Sequence, residues 1–301
     1  FRDESLREFN RVYDMLGITF DSYNGESFYS DKMPAVVQEL KDKGLLVEDN
    51  GAQIVKLDQF DLPPALITKS DGSTLYITRD IAAAIYRKNT YDFYKNIYVV
   101  ASQQNLHFQQ WKKVIGLMGY DWADDCVHVP FGLVSMEEGT MSTRQGRVIF
   151  LEDVLNRAVE QTRKIIMEKN VNTENVDETA REVGIGAVIF NELSNYRIKD
   201  YVFSWDKVLN FEGETGPYVQ YTHARACSIL RNAGEAVMAS AKEGFDASRI
   251  TSDSAHALIK LIYEMPEVIA EAGEKYEPSI VTRHIVDIAQ AFNKFYHDEH
   301  I

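Results

Sequence analysis

The sequence contains 301 residues, of which 45% are hydrophobic, enough for a substantial core and about two domains. Its 32 Lys and Arg residues against 46 Asp and Glu residues give a net charge of −14, which disfavours a sequence-independent nucleic-acid binder because such affinity comes largely from cations that displace counterions. No apolar run approaches the roughly 18 residues of a membrane span, so we expect a soluble protein with no membrane partner.

The first residue and the two cysteines bear on the origin of the chain and on the redox compartment that suits it. The sequence begins at Phe1 without an initiator Met or a signal-like leader, and we expect an excised piece of a longer protein. Cys126 and Cys227 lie far apart, and neither belongs to a Cys-x-x-Cys pair. This spacing argues against a disulfide framework or a cysteine zinc site and fits a reducing cytoplasm.

The first elements are predicted from apolar spacing and turn residues. Helical periodicity predicts one helix within residues 1–20 and another over Met33–Lys43, each ended by a glycine. The aromatic loop between them, FDSYNGESFYS, contains Glu26, for which a solvated loop acid is the alternative interpretation. Leu45–Leu57 predicts a hairpin that turns at Asn50-Gly51.

The stretch Ser70–Arg87 predicts a turn, a short strand over Thr74–Thr78 and a helix that follows almost without a loop. Strand side chains at i and i+2 share a face, so Tyr76 and Thr78 are expected to point together, beside Asp80 at the start of the helix. Such strand ends bind ligands in open α/β sheets. The alternative is that Thr78 caps the helix and Asp80 complements its dipole.

The next stretch favours an α/β fold. Asn96–Ala101 predicts a buried parallel strand, and Gln104 and His107 follow it at the start of another helix. Strand, helix, strand and helix in succession indicate a parallel sheet with its ligand crevice at the strand ends, where Gln104 takes the same topological place as Asp80. An ordinary helix position is the alternative for His107.

A third strand, Val127–Val134, leads into a polar loop bracketed by two glycines. Ser142, Thr143 and Arg144 give this loop two hydroxyls and a cation, a set that suits phosphates; a solvated connector is the alternative. A long amphipathic helix follows.

From about Val171 helices dominate the sequence. Apolar spacing predicts four of them, at Asp177–Leu193, Pro217–Ala233, Ala255–Ile269 and Pro278–Tyr296. We place a domain boundary near residues 155–175 and expect a helix bundle after it, with an irregular aromatic stretch between the first two helices. Gly184 and Gly186 are interpreted as packing positions because no complete GxGxxG motif is present. The histidine-containing end at residues 297–300 is interpreted as a solvated tail, without a metal site.

Several strings, in this order, resemble the arginyl-tRNA synthetases of class I: FDSYNGES, KSDGSTLYITRDIAAAIYR, YVVASQQNLHFQQ, HVPFGLV, MSTRQGRVIFLEDVL and TGPYVQYTHARACSIL. The resemblance covers most of the chain. It implies an α/β, Rossmann-like parallel-sheet catalytic domain, whose second half is residues 1–165 with a KMSKS-like loop at 140–146. It also implies an all-α helix-bundle anticodon-binding domain over residues 166–301, truncated after Ile301.

That family activates arginine with ATP and transfers it to tRNA. The resemblance implies L-arginine and tRNA(Arg) as partners, ATP with Mg²⁺ as substrate without a tightly bound cofactor, and a cytoplasmic monomer. It implies an arginine pocket formed by Glu26, Tyr76, Asp80 and Gln104. Fixed carboxylates and a tyrosine suit a guanidinium, which is planar, always charged and rich in donors.

The resemblance also implies three further sets of residues. Those near ATP are His107, His128, Phe131, Gly132, Leu133 and Val134. Those of the catalytic signature loop are Met141, Ser142, Thr143 and Arg144. Those near the tRNA are Tyr218, Gln220, Tyr221 and Arg225, with bundle packing as the alternative for the two tyrosines. Thr140 and Gln145 stand where lysines are typical, which leaves Arg144 as the cation of residues 140–146.

The first half of the catalytic domain, with its His-Ile-Gly-His type signature, is absent from the sequence, as is the family's N-terminal tRNA-binding domain. The chain alone is therefore predicted not to make arginyl-adenylate. A cysteinyl or methionyl relative is disfavoured, because two acids near an aromatic suit a cation and no cysteine pair offers zinc. A non-catalytic tRNA-binding or interaction module is favoured by Thr140 and Gln145 but opposed by the intact pocket residues.

Overall fold

The computed structural model describes residues 1–136, 149–168, 174–210, 213–244 and 246–299. Within them the α-helices are α1 Arg2–Leu16, α2 Met33–Asp42, α3 Tyr76–Tyr91, α4 Asn105–Leu117, α5 Leu151–Glu168, α6 Val176–Ser194, α7 Trp205–Val208, α8 Gly216–Glu243, α9 Asp253–Lys275 and α10 Ser279–Asp298. The strands are β1 Leu46–Asp49, β2 Ala52–Val55, β3 Ala65–Thr68, β4 Asn96–Ala101, β5 Cys126–Phe131, β6 Val134–Met136 and β7 Tyr201–Phe203.

Two compact units divide the chain. We call Phe20–Gly132 the sheet unit, and Phe1–Thr19 together with Leu133–Ile301 the helical unit. In the part of the chain described, no helix has the length and apolar character needed to cross a membrane.

The sheet unit combines an antiparallel sheet with a parallel strand pair. Strands β1, β2 and β3 are antiparallel neighbours, and the hairpin predicted at Asn50-Gly51 is confirmed by the pairing of Asp49 with Ala52. Strands β4 and β5 are parallel and are connected through α4, which confirms the predicted parallel strand at Asn96–Ala101. Its predicted burial is wrong, because no residue of β4 is buried and Val99 is 65% exposed. The apolar core of the sheet unit includes the fully buried residues Leu40, Leu57, Ile67, Ile81 and Trp111.

The strand predicted at Thr74–Thr78 is wrong. Helix α3 already begins at Tyr76, and Thr74 forms only a single bridge to Thr68. The Thr78 hydroxyl donates to the carbonyl of Ile67 on β3 at 2.9 Å, which buries this residue completely, whereas Tyr76 is 58% exposed. Tertiary packing thus overrides the β-branched composition of this stretch. Tyr76 and Thr78 therefore do not point together.

The capping alternative for this junction is also wrong. The N-cap of α3 is Leu75, without a side-chain cap, and the hydroxyl of Thr78 is engaged with β3. Asp80 lies in the second turn, outside the first exposed amides of the helix. Because residues i and i+4 share a helix face, Asp80 instead lies one turn above Tyr76.

The strand predicted at Val127–Val134 is divided between two sheets. Its first part is β5, which ends at Phe131, and its last residue begins β6, which pairs in parallel with β7. Strand β7 and the short α7 lie in the stretch predicted to be irregular, so that prediction is wrong for Tyr201–Phe203 and Trp205–Val208.

The four helices predicted after Val171 are confirmed as α6, α8, α9 and α10. Helix α6 packs against α5, and a Cβ atom on Gly184 would lie 2.9 Å from backbone atoms of Ala158 and Val159. A Cβ on Gly186 would lie 2.9 Å from the side-chain nitrogen of Gln220. The packing interpretation of both glycines is therefore confirmed.

Candidate active site

Three predicted site residues meet between α3 and α4. The imidazole Nε2 of His107 donates to the Asp80 carboxylate at 2.5 Å, and the His107 ring lies 4.6 Å from the ring of Tyr76, tilted by 50°. His107 is buried, whereas the Asp80 side chain is 41% exposed. We call Tyr76, Asp80 and His107 the α3–α4 cluster. A buried imidazole thus holds a carboxylate that still reaches solvent, with an exposed tyrosine ring beside it.

Glu26 is linked to the same helix through a residue that the sequence did not single out. Arg79, between Tyr76 and Asp80 on α3, donates from Nη1 to the Glu26 carboxylate at 2.5 Å. Glu26 begins a 3₁₀ helix that runs to Lys32. Since 53 residues separate Glu26 from Arg79, no local spacing pattern could have indicated this pair. The contact brings a second carboxylate to the turn of α3 that carries the cluster.

Gln104 lies after the carboxyl end of the parallel strand β4, as predicted, but it does not share a sheet edge with Asp80, which follows β3 of the antiparallel sheet. It ends the 3₁₀ helix that follows β4, serves as the N-cap residue of α4, and is exposed. It precedes His107 by less than one helical turn. All four residues expected to bind arginine thus belong to the sheet unit.

A half-buried cation, Arg87, lies further along α3. The Arg87 guanidinium lies 5.7 Å from the ring centre of Tyr29 and 5.2 Å from that of Tyr98. Burial, partly offset by Arg87, raises the pKa of Tyr98 well above its usual range, and the Tyr98 hydroxyl accepts a hydrogen bond from Asn96 at 2.7 Å. Arg87 therefore connects the 3₁₀ helix that carries Glu26 with α3 and β4.

The residues expected near ATP begin on β5. The His128 ring stacks on Phe108 with a centroid distance of 4.0 Å and donates from Nε2 to the carbonyl of Val100. A cleft of about 750 Å³ opens beside α4 and β5, and His128 and Phe108 contribute to its wall. The α3–α4 cluster does not line this cleft.

The end of the ATP set continues into the helical unit. Phe131 ends β5, Gly132 follows it, and Val134 begins β6. The Leu133 N–H donates to the Asp200 carboxylate at 2.7 Å, and its carbonyl accepts from the Tyr201 N–H. Both peptide groups of Leu133 are thus engaged within the helical unit. The expected catalytic residues Met141, Ser142, Thr143 and Arg144, with loop 140–146, lie outside the described residues.

Two of the residues expected near tRNA hold α8 in place. The Tyr218 hydroxyl accepts a hydrogen bond from Asn293 of α10 at 3.0 Å. The Gln220 amide donates to the carbonyl of Glu182 on α6 at 3.4 Å and contacts Gly186. The geometry therefore gives both side chains a packing role in the helical unit.

The other two residues of that set form an accessible aromatic and cationic surface. The Arg225 guanidinium lies 4.9 Å from the ring centre of Tyr221 and 5.0 Å from that of Tyr296, and it also donates to Asn293. Tyr221 is 55% exposed. Such a platform can stack an unpaired base on its outer face.

Comparison with known proteins gives two family matches. Residues 1–205 match the model for the catalytic domain of class I tRNA synthetases (R), and residues 219–301 match that for the DALR anticodon binding domain. The chain is 64% identical over 300 residues to the arginine–tRNA ligase of Halothermothrix orenii and 61% identical over 301 residues to that of Clostridioides difficile. Each alignment covers all of this chain and 52% of the relative, so the chain spans about half the length of these proteins.

Solved structures show the same fold. The arginyl-tRNA synthetase of Plasmodium falciparum superposes with a TM-score of 0.84 at 26% identity, covering 98% of this chain and 50% of the other. That of Thermus thermophilus gives a TM-score of 0.83 at 24% identity, covering 98% and 56%, and supports the fold alone.

Proposed function

This chain belongs to the arginyl-tRNA synthetases of class I, and from that membership we propose that its full-length gene product activates L-arginine with ATP. The products are arginyl-adenylate and pyrophosphate, and the arginine then passes to tRNA(Arg). The observation that supports the proposal is that Tyr76, Asp80 and Arg79, the partner of the Glu26 carboxylate, lie within little more than one turn of α3.

The chemistry of this turn suits a guanidinium group. The Asp80 carboxylate reaches solvent and has acceptor capacity beyond its bond to His107. The exposed Tyr76 ring offers a face for a planar cation, and Gln104 adds an amide after the end of β4. Asp80 and Glu26 would bind the guanidinium nitrogens, with Tyr76 and Gln104 fixing its orientation.

For ATP, we propose that His128 and the backbone from Phe131 to Val134 border the adenosine. Met141 to Arg144 would steady the triphosphate, bound with Mg²⁺, as charge develops on the leaving pyrophosphate. His107, which the resemblance assigned to ATP, is also the partner of Asp80, so it would lie between the two substrates.

For tRNA, we propose that Tyr221 and Arg225 stack on unpaired bases, while Tyr218 and Gln220 hold the helix that presents them. A monomeric state, a cytoplasmic location and the domain division between residues 165 and 166 stay predictions.

An ATP–pyrophosphate exchange assay of the full-length protein tests the proposal. It is run with each of the twenty amino acids, with and without tRNA, and with citrulline, the uncharged isostere of arginine. We expect arginine to support exchange and citrulline to fail, since two carboxylates need a cation. Exchange driven by cysteine or methionine would indicate another synthetase. Binding of tRNA without any exchange would favour the non-catalytic module.

A further inference from the structure

Arg79 is the fixed member of its ion pair. Its side chain is 27% exposed with a buried Nε, whereas the Glu26 side chain that it contacts is 82% exposed. Arg79 extends from α3, whose neighbouring residues are anchored in the core of the sheet unit, while Glu26 stands at the start of a short 3₁₀ helix. The geometry therefore makes Arg79 the support and Glu26 the side chain that is held.

We propose that Arg79 is a positioning residue that directs the Glu26 carboxylate toward the guanidinium of bound arginine. This inference rests on the arginine site proposed above. An exposed glutamate samples many rotamers, and ordering it when the substrate binds weakens affinity. A glutamate already held by a guanidinium has lost that freedom beforehand. Preorganisation of this kind affects arginine binding and leaves ATP binding unchanged.

The charges and acceptors of the turn agree with this role. Glu26 and Asp80 alone would present two negative charges, and Arg79 reduces them to one, which matches the single positive charge of arginine. Arg79 donates to only one oxygen of Glu26, Oε2. A carboxylate has two oxygens with several lone pairs, so the same group can accept from a second guanidinium. Arg79 can thus remain bound while the substrate binds.

The test measures arginine-dependent exchange by the full-length protein for Arg79→Met, Arg79→Lys, Glu26→Gln and the double variant Arg79→Met with Glu26→Gln. We expect Arg79→Met to raise the KM for arginine about five- to twentyfold, with kcat and the KM for ATP within about twofold. Arg79→Lys keeps the charge and should recover part of the loss. On the Glu26→Gln background, Arg79→Met should change the KM for arginine by less than about twofold, because its partner is already gone.

Lys88→Met is the matched control. Lys88 forms an ion pair of the same kind on the same helix, with Asp92 at 2.9 Å and similar exposures of 24% and 91%, but in the last turn. It should leave every kinetic constant unchanged. Thermal unfolding of all variants separates misfolding from weakened binding.

Two results would overturn the inference. An Arg79→Met penalty that is equally large on the Glu26→Gln background would mean that Arg79 does not act through Glu26. A lowered KM for arginine would mean that Arg79 competes with the substrate for this carboxylate. Failure of the proposed function has a different signature, namely no arginine-dependent exchange by the wild-type protein, and it would refute the inference as well.

Discussion

The replacement Asp80→Asn distinguishes the proposed role of Asp80 in arginine binding from its role in stabilising the α3–α4 cluster. Asn has nearly the same shape as Asp and keeps a side-chain oxygen that can accept the hydrogen bond from His107. It removes the negative charge proposed to face the guanidinium of arginine. We therefore expect a large loss of arginine affinity with a small loss of stability.

The structure sets the size of both effects. Two unit charges about 4 Å apart interact by about 4 kcal/mol near a protein surface. The Asp80 side chain is 41% exposed, and water screens part of this energy. A loss of about 2–3 kcal/mol remains, which raises the KM for arginine about 30- to 150-fold. The hydrogen bond to His107 changes from charge-assisted to neutral, which costs about 1 kcal/mol of unfolding free energy and lowers Tm.

Exchange kinetics and thermal unfolding of the full-length protein measure the two effects. The variant Asp92→Asn provides the control, because it removes an acid from the other end of α3 that is paired with Lys88. A KM for arginine within about threefold of wild type in Asp80→Asn would refute the guanidinium site. A Tm that falls as far in Asp92→Asn as in Asp80→Asn would refute the structural role given to the bond with His107.

Burial raises the pKa of the Cys126 thiol to about 11. In the native protein at about pH 8, iodoacetamide should therefore alkylate the partly exposed Cys227 and spare Cys126. Peptide mapping that finds both cysteines modified would contradict this. Burial and the hydrogen bond to Glu39 raise the pKa of Tyr120 to about 12, above the value of 10.0 for a free tyrosine. The contribution of neutral Tyr120 to stability is complete below pH 10 and is lost as pH rises through 12. The free energy of unfolding of Tyr120→Phe should therefore fall less than that of wild type between these pH values. Urea titrations in which both proteins show the same dependence of unfolding free energy on pH would contradict this. In filter-binding assays, Tyr221→Ala should weaken tRNA binding by about 1–3 kcal/mol. Tyr221→Phe should not weaken it, because stacking needs only the ring. Equal losses of tRNA affinity in the two variants would exclude stacking.

Elements coded by local patterns could be predicted from the sequence. The Asn50-Gly51 hairpin and the helices after Val171 follow from turn residues and apolar periodicity, and both are present. The junction at Thr74–Thr78 could not be predicted in this way. Its β-branched residues favour a strand, but α3 begins at Tyr76, and Thr78 donates to Ile67 on β3 from within that helix.

The candidate site shows the same division. The place of Gln104 could be predicted because it follows the parallel strand β4, whereas Asp80 follows β3 of the antiparallel sheet, so the shared sheet edge predicted for the two residues is wrong. The contact between Asp80 and His107 spans 27 residues, and that between Glu26 and Arg79 spans 53. Such partners become visible only after α4 and the 3₁₀ helix Glu26–Lys32 are packed against α3, which is why the sequence did not indicate Arg79.

The glycines of α6 differ in how natural variation can act on them. A Cβ at Gly184 would meet the backbone of Ala158 and Val159, and no second mutation can remove a backbone atom. A Cβ at Gly186 would meet the flexible end of Gln220, which a shorter residue at position 220 would relieve. A substitution at Gly186 could thus be compensated by one substitution at position 220. A substitution at Gly184 has no such compensation, so selection against it would not depend on which residues occupy other positions.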